Sequence, residues 1–246
     1  MTFEISLIIP VRGDGPFLGQ ALESVAVQGV SIAELLVVDD GMTQKAFDAI
    51  APLANEFGDV KILRGPRSGP AAARNVGLRA ATGTVIAFID DDDLWPDGKL
   101  RKQCGMLAQD SELEAVGGRI HWFSQWDGRG RPVPAGDDLN VVHVNLGAFV
   151  YRRGLFDKIG LLDEGLLYSE DVDLLLRMVD SDVAFAILDE PMLHYRRHAG
   201  TMTHIRTPRE KADLNRSLLA SLKRRRIGGA VRPGKPLEHF LVRCGT

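Results

Sequence analysis

Hydrophobic positions switch between two periods along the first ninety residues. Ile5–Pro10 (ISLIIP), Glu34–Asp40 (ELLVVDD) and Thr84–Ile89 (TVIAFI) are short apolar runs of the kind that form strands covered on both faces, and Val60–Arg64 makes a further strand. Between them, apolar residues recur at helical spacing: Phe17, Leu18, Ala21, Leu22, Val25 and Ala26, then Phe47, Ile50 and Leu53 in a helix from about Thr43 to Phe57. A third, Ala-rich helix opens at Pro70 and is read as ending before Gly83 in the role of C-terminal cap. Strand and helix in strict alternation predict an α/β layer structure with a mostly parallel sheet.

After Asp93 the pattern changes. Trp95, Leu100, Met106 and Leu107 suit a helix opened by Pro96 and Asp97, and Val116–Trp126 reads as a strand with aromatics. The polar segment Asp127–Asp138 is the expected mobile rim. Asn145–Arg152 is read as a strand, followed by a short helix with Leu155, Phe156 and Ile159 that Gly160 closes. Ser169 precedes a further helix in an imperfect capping-box pattern; Val172, Leu175, Leu176 and Val179 form its apolar stripe, and Glu170 and Asp171 stand in its first turn. Residues 183–204 read as a strand pair, Pro208–Arg226 as a charged amphipathic helix, and IGGAVRPGKP as a linker.

Composition narrows the class. The 246 residues, 45% hydrophobic with net charge −3, suit one large or two small globular units with an ample core. The start, MTFEISLIIPVRG, lacks a basic region ahead of an apolar one and reads as a first strand, so neither a signal peptide nor a transit peptide is expected. No apolar run approaches the ~20 residues of a membrane span. Cys104 and Cys244 give neither a disulfide framework nor a zinc spacing, so the expected setting is cytoplasmic and reducing. No nucleic-acid partner is expected, and the oligomeric state is not legible. From Arg206 onward there are 11 basic and 3 acidic side chains, which makes the tail the basic part.

The chemistry concentrates at Thr84–Asp97, TVIAFIDDDDLWPD. Four adjacent carboxylates, Asp90 to Asp93, repel and raise one another's pKa unless a cation or strong donors hold them together. A hard divalent cation answers that need, because Mg²⁺ takes one or two carboxylates together with water and substrate phosphates. The plainer reading is an acidic loop or helix N-cap, but Phe88 and Ile89 bury the approach and caps seldom need more than one acid. In an open α/β sheet, ligands sit beyond the carboxyl ends of the strands, where Pro10–Asp14, Asp39–Gly41 and Asp90–Asp93 fall. There is no GxGxxG after the first strand and no GxxxxGK[ST] in the chain. Glu170 and Asp171, taken alone, are equally well read as complementing a helix dipole.

In order, IIPVRGDGPFLGQALESVAVQ, LLVVDDG, SGPAAARNVGLRAATGTVIAFIDDDDLW, GLLDEGLLYSEDVDLLLRM and YRRHAGTMT resemble the blocks of the family 2 glycosyltransferases with the GT-A fold, over roughly Ile5 to Thr203. The resemblance implies a mostly parallel, Rossmann-like sheet with helices on both faces and a smaller mixed acceptor-side sheet. Residues 1–118 would form the nucleotide-sugar half, 119–205 the acceptor half of the same domain, and 206–246 a basic C-terminal helix and tail. It also implies a nucleotide-diphosphate sugar donor, Mn²⁺ or Mg²⁺, and transfer to an acceptor hydroxyl with inversion. On those terms Pro10, Val11, Arg12 and Asp40 fall where the family holds the base and ribose, with Asp39 structural. Arg74, with Asn75, matches the ARN element, which lies near the nucleotide or braces the acidic loop. Asp90 and Asp92 match the outer positions of the DxD motif, with Asp92 the direct metal ligand, Asp91 nearer the ribose and Asp93 bracing the loop. Glu170 and Asp171 resemble the ED motif, with Asp171 the base and Glu170 orienting the loop or touching the sugar. His198 matches a position where related enzymes place a histidine on metal or diphosphate, and Arg196 and Arg197 are diphosphate or loop partners. His121, His143, His194 and His204 are read as packing or surface residues.

The chain departs from the family pattern in two places. Arg12 and Gly13 stand where many members have Tyr and Asn, and the QxxRW motif of processive synthases is absent, so one sugar per encounter is expected. Trp122 or Trp126 is read equally well as stacking on a sugar or as core packing; the acceptor, whether glycan, lipid-linked or small molecule, is not legible in Arg119–Asn145. Two alternatives remain beside the transferase. A nucleotidyltransferase needs a lysine-containing phosphate loop that VRGDGPF lacks, and a catalytically silent sugar-nucleotide binder has no reason to retain both acidic motifs. Lys223–Arg226 (KRRR) complements a helix C-terminus, and the same charges would attract the inner face of an anionic membrane.

Overall fold

The computed structural model describes residues 3–126, 132–134, 144–198, 207–227, 230–231 and 241–242. Its first half alternates strand and helix: β1 (Ile5–Gly13), α1 (Leu18–Ala26), β2 (Glu34–Met42), α2 (Gln44–Ile50), β3 (Asp59–Arg64), α3 (Pro70–Ala80), β4 (Val85–Phe88) and α4 (Lys99–Gln109). The second half contains β5 (Ala115–Trp126), β6 (Pro132–Pro134), β7 (Val150–Arg152), α5 (Gly154–Ile159), α6 (Glu170–Asp180), β8 (Phe185–Arg196), α7 (Pro208–Arg224), β9 (Arg226–Ile227), β10 (Ala230–Val231) and β11 (Leu241–Val242). Among the described residues, nine strands form one sheet in the order β11-β8-β5-β7-β4-β1-β2-β3, with β6 beside β5. Neighbours β1/β2, β1/β4, β2/β3, β5/β8 and β8/β11 are parallel. β7 runs antiparallel between β4 and β5 and so joins two parallel sectors. Ile5, Leu7, Ile8, Ile9, Leu35 to Val38 and Val85 to Ile89 are buried, as expected for central strands with helices on both faces.

Several local expectations are corrected. The helix expected through Phe57 breaks after Ile50 into a 3-10 turn, Ala51–Glu56, because Pro52 cannot continue an α-helical ladder. β2 runs past the expected Asp40, through Gly41 to Met42. Gly83 is no cap: α3 ends at Ala80, and a Cβ on Gly83 would stand 2.6 Å from the Glu4 carbonyl oxygen, so the glycine permits close strand approach. α4 starts at Lys99 behind a left-handed Gly98 (φ 73°), which leaves Trp95 outside it. Of Asn145–Arg152 only the last three residues are strand; Asn145 caps a 3-10 turn, its Oδ1 accepting the Gly147 amide at 2.7 Å. The buried stripe of α6 is Leu174, Leu175 and Met178 with Asp173, so the expected stripe was out of phase. Residues 185–196 form one long strand where a pair was expected. Pro132–Pro134, inside the expected rim, pairs with β5, and the rest of that rim lies outside the described residues, as do His143, His204 and Cys244. The expected linker contains the β9/β10 pair, and β11 beyond it aligns Leu241 with Ile187 of β8. Among the described residues, no helix is long and apolar enough to cross a membrane.

Lys99 stands out in this core. It is fully buried, donates to Gln103 Oε1 at 2.7 Å, and lies 4.4 Å from the centre of the Trp95 ring. Burial lowers its pKa from 10.5 to about 7. Folding therefore releases a proton between about pH 7 and 10.5, and stability rises with pH across that window and is level below it. Lys99→Met should flatten that rise and stabilise the protein at pH 7 by about 1–4 kcal/mol, read by chemical denaturation at several pH values. An unchanged pH profile would refute the assignment.

Candidate active site

β4 delivers the four aspartates to the carboxyl edge of the sheet, and each is then held differently. The Asp90 carboxylate pairs with the Arg74 guanidinium. Asp91 accepts the backbone amide of Arg12, yet burial and the charges of Asp92 and Asp90 push its carboxyl up to about 8. Asp92 Oδ2 lies 2.9 Å from His198 Nε2; burial and Asp90 raise its pKa, with the histidine opposing. Asp93 is buried, its Oδ1 accepting the Arg196 amide at 2.9 Å and its Oδ2 enclosed with no hydrogen-bond partner among the described residues. Burial and its two acidic neighbours raise it well above the carboxylate range.

Arg196, read from sequence as a diphosphate or loop partner, is a loop partner. It is buried between the rings of Phe17 (4.2 Å) and Phe123 (4.8 Å), where its Nε donates to the Asp92 carbonyl at 2.7 Å and its Nη2 to Gln20 Oε1 at 2.7 Å. Just before it, His194 exchanges two backbone hydrogen bonds with Leu94, so β8 clamps the far end of the acidic loop. Sequence reasoning missed Gln20 and Phe17 here, and no local pattern marks either. Arg197 lies over Trp122, 5.1 Å from the ring centre, and the side chain of Trp126 is outside the described residues.

The second acidic pair reaches the same site through Arg74. From α3, its Nη1 donates to Glu170 Oε1 at 2.7 Å while its other nitrogen holds Asp90. Arg74 is 6% exposed, so this one guanidinium fills the space between two carboxylates 80 residues apart in sequence. Next to it, Asn75 Nδ2 donates to the Leu162 carbonyl and Glu164 Oε1, both at 2.9 Å, and straps down the segment before α6. Asp213 of α7 accepts the amides of Leu167 (3.0 Å) and Tyr168 (3.2 Å) on the same segment. Ser169, the expected capping residue, makes no side-chain cap and turns the chain at φ 64°. Asp171, second in α6, is half-buried and accepts the Val172 amide at 2.7 Å, and burial followed by the charge of Glu170 lifts it to about 7. Glu170 is itself raised by burial, with Arg74 opposing.

Pro10, Val11, Arg12 and Asp40 also gather at this edge, since Val11 aligns with Asp39 across β1 and β2. The Val11 side chain is buried, which leaves its backbone to face the edge, and Arg12 is exposed. Asp39 Oδ1 accepts the amides of Gly41 and Met42, a structural turn, while Asp40 Oδ1 accepts the Arg67 amide at 2.6 Å.

The family model for glycosyl transferase family 2 matches residues 6–160, more than half of the chain. The chain belongs to that family. Its sequence is 26% identical over 220 residues to EpsJ of Bacillus subtilis, an uncharacterized glycosyltransferase, covering 82% of this chain and 63% of EpsJ. It is 39% identical over 106 residues to an uncharacterized glycosyltransferase of Haemophilus influenzae, covering 43% of this chain and 42% of that protein. It thus spans less than two thirds of the length of these relatives. S. aureus TarS 1-349 in complex with UDP-GlcNAc superposes with TM-score 0.70 at 18% identity, covering 90% of this chain and 66% of TarS 1-349. The mannosyltransferase PcManGT from Pyrobaculum calidifontis, in complex with GDP-Man and Mn2+, gives TM-score 0.67 at 19% identity, covering 91% and 65%. The fold is GT-A.

The family's acidic loop fits a divalent cation by its charge balance. Asp91, Asp92 and Asp93 all have raised pKa values, and Asp93 Oδ2 lacks a donor, so the negative charge there exceeds what the surrounding donors offset. Among the described residues, no three metal-ligating side chains converge.

Proposed function

We propose that this family 2 chain transfers a sugar from a nucleotide-diphosphate sugar to an acceptor hydroxyl, with inversion and one sugar per encounter. The observation that carries the reading is the Arg74 bridge, which brings Asp90 and Glu170, and with Glu170 its neighbour Asp171, into one site. Asp171 takes the proton of the acceptor hydroxyl as its oxygen bonds to C1, while the C1–oxygen bond to the diphosphate breaks on the opposite face and its electron pair leaves with the nucleoside diphosphate. A pKa near 7 suits that role. Asp92, with His198 beside it, would hold Mn²⁺ or Mg²⁺, which supplies neutralisation of the charge that develops on the departing diphosphate. Asp40, Asp91, Arg12 and the backbone at Pro10 and Val11 hold the nucleoside. Arg74 acts through Asp90 and Glu170, and Glu170 orients Asp171. The UDP-GlcNAc and GDP-Man seen in TarS and PcManGT support the donor class, and the Mn2+ in PcManGT supports the cation.

The test is a thermal-shift screen of nucleotide sugars with and without Mn²⁺. At about a hundredfold excess over Kd, a true donor should raise Tm by roughly 5–10 °C. Asp92→Ala should abolish the Mn²⁺-dependent part of the shift. No shift with any nucleotide sugar, metal present, would defeat the proposal.

A further inference from the structure

The last helix presents its faces the wrong way round for a globular fold. α7 buries Asp213, Ser217 and Ser221, at four-residue spacing, and leaves Leu214, Leu218, Leu219 and Leu222 exposed at 38%, 42%, 57% and 42%. The polar face is fully engaged: Asp213 holds the Leu167 and Tyr168 amides, Ser221 donates to Asp180 at 3.0 Å, and Arg224 Nε donates to Asp180 at 2.8 Å. Apolar burial therefore does not seat this helix on α6, and its leucines face away from the protein.

At 100° per residue, the outward arc through Leu214, Leu218, Leu222 and Leu219 takes in Lys211, with Lys223 just past its Leu219 edge; both lysines are exposed, and so is Arg226 just beyond the helix. The acids of α7 stand elsewhere, since Asp213 is buried and Glu210 Oε2 is enclosed. The basic run Lys223–Arg226 is thus split: Arg224 and Arg225 pair with Asp180, while Lys223 and Arg226 remain on the outward side.

We propose that this face docks on the anionic surface of a phospholipid bilayer. α7 would lie in the interface plane along its length of about 25 Å, with the leucines among acyl chains and Lys211, Lys223 and Arg226 at the headgroups. Charge selects this occupant over a second copy of the chain. A two-fold contact through the same arc would set like cations against one another, with no acid among the described residues of α7 on that arc to meet them. Among the described residues of the far end, β11 is seated on β8.

The test is co-sedimentation of the full chain with phosphatidylcholine vesicles, with and without phosphatidylglycerol. Binding to the anionic vesicles should exceed binding to the neutral ones at least about tenfold and weaken as salt rises. Leu218→Asn with Leu222→Asn, and separately Lys211→Glu with Lys223→Glu, should each reduce it at least about tenfold with Tm unchanged, since all four side chains are exposed. Three results would overturn the proposal: wild-type protein that ignores anionic vesicles at low salt, wild-type-level binding by either variant, or a dimer in sedimentation that the leucine variant dissociates.

Discussion

Asp171→Asn is expected to lower the rate of sugar transfer by about 10²–10⁴-fold, the usual contribution of a general base, while donor binding stays unchanged. The same substitution should stabilise the fold. Burial and Glu170 raise the folded pKa from 3.8 to about 7, so folding binds a proton between those values. Stability is fully present below about pH 4 and is lost as pH rises through about 7, where the carboxylate ionises in a site that disfavours charge. Asparagine removes that loss. Because Asp171 is partly exposed, the gain at pH 8 should be about 1–3 kcal/mol, less than the full shift implies. Wild-type transfer should rise with pH up to about 7 and then level, as the base loses its proton. The measurements are initial rates across pH, donor affinity and denaturation for both proteins. Full activity in Asp171→Asn would remove Asp171 from the mechanism, and lower stability at pH 8 would contradict the electrostatic account of its site.

Arg74→Met should be the most destabilising single change at the site. It leaves two carboxylates, Asp90 and Glu170, facing each other without their shared cation in a largely enclosed space. Breaking a buried pair in this way costs about 3–5 kcal/mol, or roughly 10 °C in Tm for a chain of this size. The loss should shrink as pH falls toward 5, because a carboxylate raised by burial and deprived of its partner is relieved by protonation. Adding Glu170→Gln should recover part of it, since one uncompensated charge is then gone. Arg74→Lys should fall between, as one ammonium cannot span both acids as a planar guanidinium does. A Tm within a degree or two of wild type would show that the bridge holds nothing together.

Much of the first half of the fold was legible in the chain because its signals are local. A strand covered on both faces must be apolar throughout, so β1, β2 and β4 could be read from composition over a few residues. Where the local signal weakened, reading failed in understandable ways. Asn145 to Phe149 are apolar enough for a strand, yet the Asn145 side chain caps a turn there instead. The α6 stripe was out of phase because the polar Asp173 is buried in an ion pair with Arg177, a choice hydrophobicity does not encode. Gly83 looked like a cap and proved to be a point of close backbone approach, which only the neighbouring strand reveals.

The sequence by itself determined the α/β order, the two acidic motifs and the family, since each depends on residue type and spacing along the chain. It also singled out Asp171 and Asp92. Only the tertiary structure decided how those motifs meet. Arg74 lies 16 residues from Asp90 and 96 from Glu170, and Arg196 lies 104 from Asp92, so their pairings depend on strand order in the sheet. The outward leucines of α7 belong to the same class: amphipathic spacing defines two faces, but which one packs inward is settled by the partners on offer, and those are the Asp180 carboxylate of α6 and the Leu167 and Tyr168 amides of the segment before it, which meet the polar face.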